Sequence, residues 1–246
     1  MGGLRHSLPA KLLMLAPLAL MLLLVGCGSD ADNITFVSEV DGDAEIYVID
    51  PDSGEAVPLT DNHSSDTNPI WSPDGKQVAY VSDESGDLEI NVVDHKGKLT
   101  SRLTHIPGDD GTPLWSPDGQ DLAFISNQDG NAEVYLMTAD GGRPVRITAE
   151  EPDDRIGDWS PDGVWLAFAR GGSSDERGLW LRNPDGVNLI HLTTENDFDP
   201  VWSPNGKHIV FVRDADGNLD LFLASRLKDG TWQDEVQLTR LTQHEE

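Results

Sequence analysis

Four aspartates form the most regular set of chemically active side chains in this 246-residue chain. Each stands five residues before a tryptophan, and together they are Asp66, Asp110, Asp154 and Asp197. If the segments that carry them surround an axis, the carboxylates form a ring near one end of a central channel, where they could hold a cation or the basic part of a partner. The alternative is that each Asp bonds backbone N–H groups where the chain enters a strand. We favour this structural role, because the repeat accounts for the Asp without a ligand.

A second candidate is the stretch Asp214-Ala-Asp216-Gly-Asn218-Leu-Asp220, which alternates oxygen ligands as calcium-binding loops do. It lacks the terminal bidentate Glu at the EF-hand spacing. It also stands where the other repeats have a Gly-containing turn. We therefore interpret it as a hairpin turn and assign no metal ligands.

The motifs of common catalytic and cofactor sites are absent from the sequence. The histidines share no repeat position and form no H-E-x-x-H pattern, and there is no G-x-S-x-G elbow or Gly-rich phosphate loop. Nothing places a base near a nucleophile. We expect a protein that is not an enzyme and that uses no cofactor.

The elements that position these residues are written in a repeated string, WSP[DN]G, which begins at Trp71, Trp115, Trp159 and Trp202. Its Ser-Pro-Asp-Gly part suits a type I turn, in which Pro fixes φ at the second position. Short apolar runs separated by further Gly-containing turns follow it, giving four strands in each 43 or 44 residues. This pattern predicts an all-β fold, a β-propeller of four-stranded antiparallel blades, with each Trp packed between neighbouring blades as a structural residue.

The repeats define the expected blades. Residues 34–70 match the unit without its first strand, and full units cover 71–114, 115–158, 159–201 and 202–246. A six-bladed ring would need about 260 residues. Either about five blades close directly, or the chain is an incomplete six-bladed ring whose unpaired edge favours self-association.

The repeat resembles the TolB-type propeller repeat in its successive strings WSPDG, AF-S, DG, EVY and LT. The resemblance covers residues 33–246. It implies a propeller in the bacterial cell envelope that acts by binding proteins. One alternative is the accessory or gating propeller of a prolyl-oligopeptidase-like hydrolase. Another is a propeller lyase or glycan-binding module, which would need a His or carboxylate cluster with metal at the channel mouth.

The first 26 residues form a signal peptide, with Arg5 and Lys11 before an apolar run at 12–25 that is too short to span a bilayer. Leu24-Val25-Gly26-Cys27 resembles the bacterial lipobox, which implies cleavage before Cys27 and lipidation of that residue. Residues 27–33 are then a lipidated tether and 34–246 the propeller. We expect an exported protein anchored to an envelope membrane on its periplasmic or cell-surface side.

The net charge of the chain limits which classes of partner it can bind. Seventeen basic residues, two of them in the signal peptide, face 44 acidic ones, so the mature chain is strongly acidic. Nucleic acid and anionic headgroups would be repelled, so the membrane contact is expected to run through the lipid on Cys27 alone. Envelope proteins with a basic surface are the expected partners. The alternative is that the acidity only keeps a turn-rich exported protein soluble.

Overall fold

The computed structural model describes residues 33–40, 42–98, 100–173, 175–215 and 217–240. The predicted signal peptide, the lipidation site Cys27 and the tether up to residue 32 lie outside the described residues.

Within those ranges the chain forms five antiparallel sheets whose strands follow one another in chain order. The first sheet has three strands: β1 Ile34–Ser38, β2 Glu45–Ile49 and β3 Ala56–Pro58. The second has four: β4 Asp66–Trp71, β5 Gln77–Ser82, β6 Glu89–Asp94 and β7 Thr100–Arg102. The third also has four: β8 Asp110–Trp115, β9 Asp121–Ser126, β10 Glu133–Thr138 and β11 Val145–Arg146.

The last two sheets repeat the same order. The fourth consists of β12 Asp154–Trp159, β13 Leu166–Arg170, β14 Gly178–Arg182 and β15 Leu189–His191. The fifth consists of β16 Asp197–Trp202, β17 His208–Ala215, β18 Asn218–Ser225 and β19 Val236–Gln237. The prediction of an all-β propeller with about five blades is confirmed. The described residues contain no helix that is long and apolar enough to cross a membrane.

The repeated Ser-Pro-Asp-Gly turn joins the first and second strands of each four-stranded sheet. In the second sheet Ser72 Oγ donates to Asp74 Oδ1 over 2.8 Å, and the backbone N of Gln77 donates to Ser72 Oγ over 3.0 Å. Gly75 has φ of +69°, a conformation that a side chain would strain. The same bonds recur at Ser116, Ser160 and Ser203. One local sequence therefore sets the same hairpin geometry in four sheets.

Neighbouring sheets bury their facing side chains against each other in four hydrophobic clusters, one at each junction. At the junction of the second and third sheets, Val81 and Val92 of one sheet share a cluster with Trp115 and Phe124 of the next. The Trp115 indole Nε1 also donates to the carbonyl oxygen of Ile70 in the preceding sheet, over 3.2 Å. Trp71, Trp159 and Trp202 are buried in the corresponding places.

The described residues form an open arc of five sheets. Each sheet packs against the next one in chain order, and no comparable packing of described residues joins the fifth sheet to the first. The leucine that directly follows the outermost strand shows the difference. Its exposed fraction is 8% for Leu103 of the second sheet, which has a following sheet, and 50% for Leu238 of the fifth.

Replacing Trp115 by Ala is expected to lower the free energy of unfolding by about 3–5 kcal/mol, because the smaller side chain leaves a cavity between two sheets. The measurement is urea unfolding followed by circular dichroism. Val164→Ala, at an exposed position in the neighbouring turn, is the control and should change stability by no more than about 0.5 kcal/mol. A cost below about 1 kcal/mol for Trp115→Ala would contradict the packing role.

Candidate functional site

The four repeated aspartates begin the first strands β4, β8, β12 and β16, and all four are buried. Each is paired across the sheet with a residue at or near the end of the second strand, and these partners are Ser82, Ser126, Arg170 and Arg213. The carboxylates of Asp154 and Asp197 contact arginines of their own sheets, and that of Asp66 accepts a bond from Asn62 in the preceding loop. These contacts favour the structural role over the binding role.

Two of the aspartates bind arginine in the same two-bonded geometry. Arg170 Nε and Nη2 donate to the two oxygens of Asp154 over 2.7 and 2.9 Å. Arg213 makes the same pair of bonds with Asp197, over 2.6 and 2.7 Å. The Arg170 guanidinium also lies over the ring of Trp180, 5.2 Å from its centroid. Such planar, two-bonded pairs fix geometry as well as neutralising charge.

A second repeated carboxylate, which the sequence analysis missed, stands at the start of the third strand. Glu133 accepts hydrogen bonds from Arg146 Nη2, over 2.6 Å, and from the Thr148 hydroxyl. Arg146 Nε then donates to the carbonyl oxygen of Thr148 over 2.7 Å. Glu89, Arg102 and Thr104 repeat these contacts one sheet earlier. The sequence feature that could have predicted this site is an acidic residue at the first position of a third strand whose other residues are mostly apolar.

The junction of the third and fourth sheets brings three carboxylates together. Oxygens of Glu133, Glu150 and Asp154 lie within 4.8 Å of one another, a spacing that would suit a metal ion. Arg170 pairs with both Glu150 and Asp154, and Arg146 pairs with Glu133. Because each of the three carboxylates already pairs with a guanidinium group, the donor set does not require a metal.

Asp110 is buried, and no arginine in the described part of the chain pairs with it. Burial raises the pKa of its carboxyl to about 6, and the negative charge of Glu89 adds to the increase, while the hydroxyls of Ser126 and Thr104 oppose it. Burial also raises the pKa of Asp66. Burial likewise raises the pKa of Asp154 to about 6, although Arg170 opposes the increase, so the raised pKa does not depend on the lack of an arginine.

The first strands of three sheets and β1 of the first sheet surround a cavity of about 250 Å³, here named the channel cavity. Its lining is mostly apolar and includes no His and no carboxylate. The lining residues are Thr35, Asn68, Pro69, Ile70, Trp71, Thr112, Pro113, Leu114, Ile156 and Gly157. This is the kind of concave apolar surface that binds extended or bulky apolar groups.

Backbone bulges shape the wall of the channel cavity. The pairing of β4 with β5, and of β8 with β9, shifts register in the middle of the first strand. Asn68 and Thr112 in these shifts have φ of 52° and 53°, an uncommon conformation for residues with a side chain. A proline follows each of them. Strained non-Gly backbone of this kind often marks a functional surface.

The fourth sheet replaces that proline by Gly157. A Cβ atom built on Gly157 would lie 2.3 Å from Pro200 Cγ in the neighbouring first strand. Glycine is therefore required here for the close approach of two sheets.

The calcium-like stretch forms a hairpin between β17 and β18, which pair up to Ala215 and Asn218. Asp214 Oδ1 accepts a bond from the backbone N of Gly217, and Asp216 lies outside the described residues. Asp220 turns to another part of the sheet, where Thr239 Oγ1 and Gln237 Nε2 donate to its two oxygens. The contacts of Asp214 and Asp220 are those of a hairpin and its sheet.

Comparison with known proteins gives one family and many similar folds. The family model described as TolB beta propeller domain (PD40) matches residues 84–244. No protein with a curated description matches the chain.

Among solved structures, TolB from Acinetobacter baumannii has a TM-score of 0.69 and 25% identity, over 88% of this chain and 54% of that one. An oligogalacturonate lyase in complex with manganese has a TM-score of 0.68 and 23% identity, over 85% and 62%. A puromycin-hydrolyzing peptidase of Mycobacterium tuberculosis has a TM-score of 0.64 and 18% identity, over 87% and 36%. The chain thus spans less than two thirds of each of these proteins, and the lyase and peptidase share only the fold.

Replacing Asp110 by Asn is expected to weaken the pH dependence of stability between about pH 4 and 6. The raised pKa means that the folded protein holds the Asp110 proton more tightly than the unfolded chain does, so this residue contributes stability at low pH that is lost as pH rises through about 6. Asn cannot ionise, so the variant should gain stability relative to the wild type as pH rises. Urea unfolding at pH 4.5, 6.0 and 7.5 measures the difference.

The matched control is Asp118→Asn in the exposed turn, where hydrogen bonds from Ser116 and the backbone of Gln120 lower the pKa of Asp118. Its stability difference from the wild type should stay nearly constant between pH 4.5 and 7.5, because the lowered pKa places the titration of Asp118 below this range. A stability difference for Asp110→Asn that stays constant with pH would contradict the assignment.

Proposed function

Because the chain belongs to the TolB beta propeller domain family, we propose that it is a non-catalytic protein-binding scaffold of the bacterial cell envelope, anchored to a membrane by lipid on Cys27. The single observation that supports the binding role best is the channel cavity. It is apolar, concave and walled by the backbone of several sheets, as a rigid docking site requires.

The composition of the channel cavity favours binding over chemistry. A lyase or a metal-dependent glycan-binding module would need a cluster of His or carboxylate side chains at this place. The polar side-chain groups of the ten lining residues are hydroxyl, amide and indole N–H groups. A gating propeller of a hydrolase would use the same fold, but no feature of the described residues favours it.

The partner that fits this surface is a protein with an apolar segment and basic flanks. The apolar segment would occupy the channel cavity, and the flanks would face a chain that carries 44 acidic and 17 basic residues. Complementary charge of this kind speeds encounter and selects against acidic partners.

Self-association is part of the same proposal. The outer face of the fifth sheet exposes Val201, Leu221 and Leu238, although the equivalent face is covered in each preceding sheet. An exposed apolar face on a propeller sheet is a surface on which a second molecule can associate.

Replacing Thr112 by Arg is expected to abolish partner binding, because Thr112 is exposed in the wall of the channel cavity and the longer charged side chain would fill it. The measurement is affinity capture from solubilised envelope fractions, with the bound protein identified and its binding then quantified by calorimetry. Val145→Arg, on the exposed outermost strand β11, is the control and should bind as the wild type does. Equal binding by both variants would show that the channel cavity is not the docking site.

Replacing Cys27 by Ser is expected to give an unlipidated protein that leaves the membrane fraction, since the anchor requires the thiol. Membrane fractionation and the mass of the purified protein measure the change. Ser29→Ala, two residues further along the tether, is the control. Unchanged fractionation of Cys27→Ser would refute the lipid anchor.

A further inference from the structure

Two carboxylates meet at the junction of the first and second sheets, and we name them the Glu45–Asp66 pair. The exposed fraction is 3% for Glu45 and 0% for Asp66. Asn62 holds them together: its backbone N donates to Glu45 Oε1 over 2.6 Å, and its Nδ2 donates to Asp66 Oδ2 over 2.8 Å. Both carboxylates are therefore bonded to the same residue at this junction.

Each carboxylate of the pair has a second oxygen without a hydrogen bond. Glu45 Oε2 and Asp66 Oδ1 are both buried and neither is within hydrogen-bond geometry of a donor, although the hydroxyls of Ser82 and Thr60 lie beside the Asp66 carboxyl. In the described part of the chain, no Lys, Arg or His side chain forms an ion pair with either residue. Burying two carboxylates in this way is costly unless a positive charge or a proton compensates for them.

The other junctions show what compensates for the same positions elsewhere in the chain. The residue equivalent to Glu45 is Glu89 in the second sheet and Glu133 in the third, and each binds an arginine from the outermost strand. Arg102 and Arg146 supply these guanidinium groups.

The aspartates equivalent to Asp66 show the same compensation in the later sheets. Asp154 and Asp197 bind Arg170 and Arg213.

The strand pairing of the first sheet shows why no arginine stands beside the Glu45–Asp66 pair. Arg102 pairs with Asn91, and Arg146 pairs with Tyr135, in the third strands of their sheets. The equivalent partner of Tyr47 is Pro58. Proline has neither a charge nor a donor, so the Glu45–Asp66 pair has lost the side chain that neutralises its counterparts.

We propose that the Glu45–Asp66 pair binds one hard divalent cation of the calcium type, in the place that a guanidinium group takes in other sheets. Carboxylate and hydroxyl oxygens are the donors that such ions prefer, and two carboxylates balance a double positive charge. The Ser82 and Thr60 hydroxyls lie beside the Asp66 carboxyl and offer further oxygen ligands. The site has no His or Cys, which disfavours zinc.

The cation would hold the first sheet, at one end of the open arc, against the second sheet. The first sheet has only three strands, and among the described residues it packs against the second sheet alone. Glu45 belongs to the first sheet and Asp66 to the second, so an ion shared between them joins the two sheets directly. The stability of the first sheet then depends on the cation concentration by mass action.

The test uses the full-length protein, purified after treatment with EDTA, in calorimetric titrations with CaCl₂ and with MgCl₂ and in thermal unfolding with and without CaCl₂. We expect one calcium ion per chain and a higher Tm in its presence. Glu45→Gln and Asp66→Asn should each weaken calcium binding at least about tenfold, because each removes one of two charged ligands.

Two further variants separate the site from a general effect of acidity. Glu89→Gln removes the equivalent carboxylate where Arg102 already binds it, and should leave calcium affinity within about twofold of the wild type. Pro58→Arg places a guanidinium beside the pair, as Arg102 and Arg146 do, and should remove the calcium-dependent rise in Tm.

Three outcomes would overturn the proposal. In the first, the wild type shows neither binding heat nor a change in Tm with calcium. In the second, Glu45→Gln and Asp66→Asn both bind calcium as tightly as the wild type, which would move binding to other carboxylates. In the third, lowering the pH to 5.5 raises the Tm while calcium does not, which would show that a proton compensates for the pair.

Discussion

The structure depends on one constraint: each sheet can bury its apolar face only against the next copy of itself. The hydrophobic clusters lie between sheets, so a single sheet has no core of its own. The repeated tryptophan fills the space where the first strand of one sheet meets the strands of the preceding one. All other regular features, including the identical turns and the common strand order, keep the copies similar enough to fit each other.

Buried charge is the second organising element, and it varies from one junction to the next. Guanidinium groups come from the outermost strand at Arg102 and Arg146 but from the second strand at Arg170 and Arg213. Similar carboxylates are thus neutralised in two different ways within one chain. Each of these pairs joins two residues of one sheet. Breaking such a pair is costly, whereas its net contribution to stability is small.

The sequence predicted the fold well because repetition is visible without coordinates. The turn motif and the spacing of Trp71 and Trp115 are enough for the strand count and the sheet type. The contacts of the carboxylates were not predictable in the same way. Whether Asp154 faces a channel or Arg170 depends on strand register and side-chain direction, which a one-residue bulge changes. The importance of Pro58 emerges only when its register with Tyr47 is known.

The open arc has a consequence for how the chain loses its structure. Among the described residues, the first and fifth sheets are each held by one neighbouring sheet, whereas each interior sheet is held by two. Opening should therefore begin at the first and fifth sheets and spread inward, with backbone amide protons of the third sheet exchanging last with solvent. A propeller chain of this kind should therefore unfold from its ends, as a short array of helical repeats does.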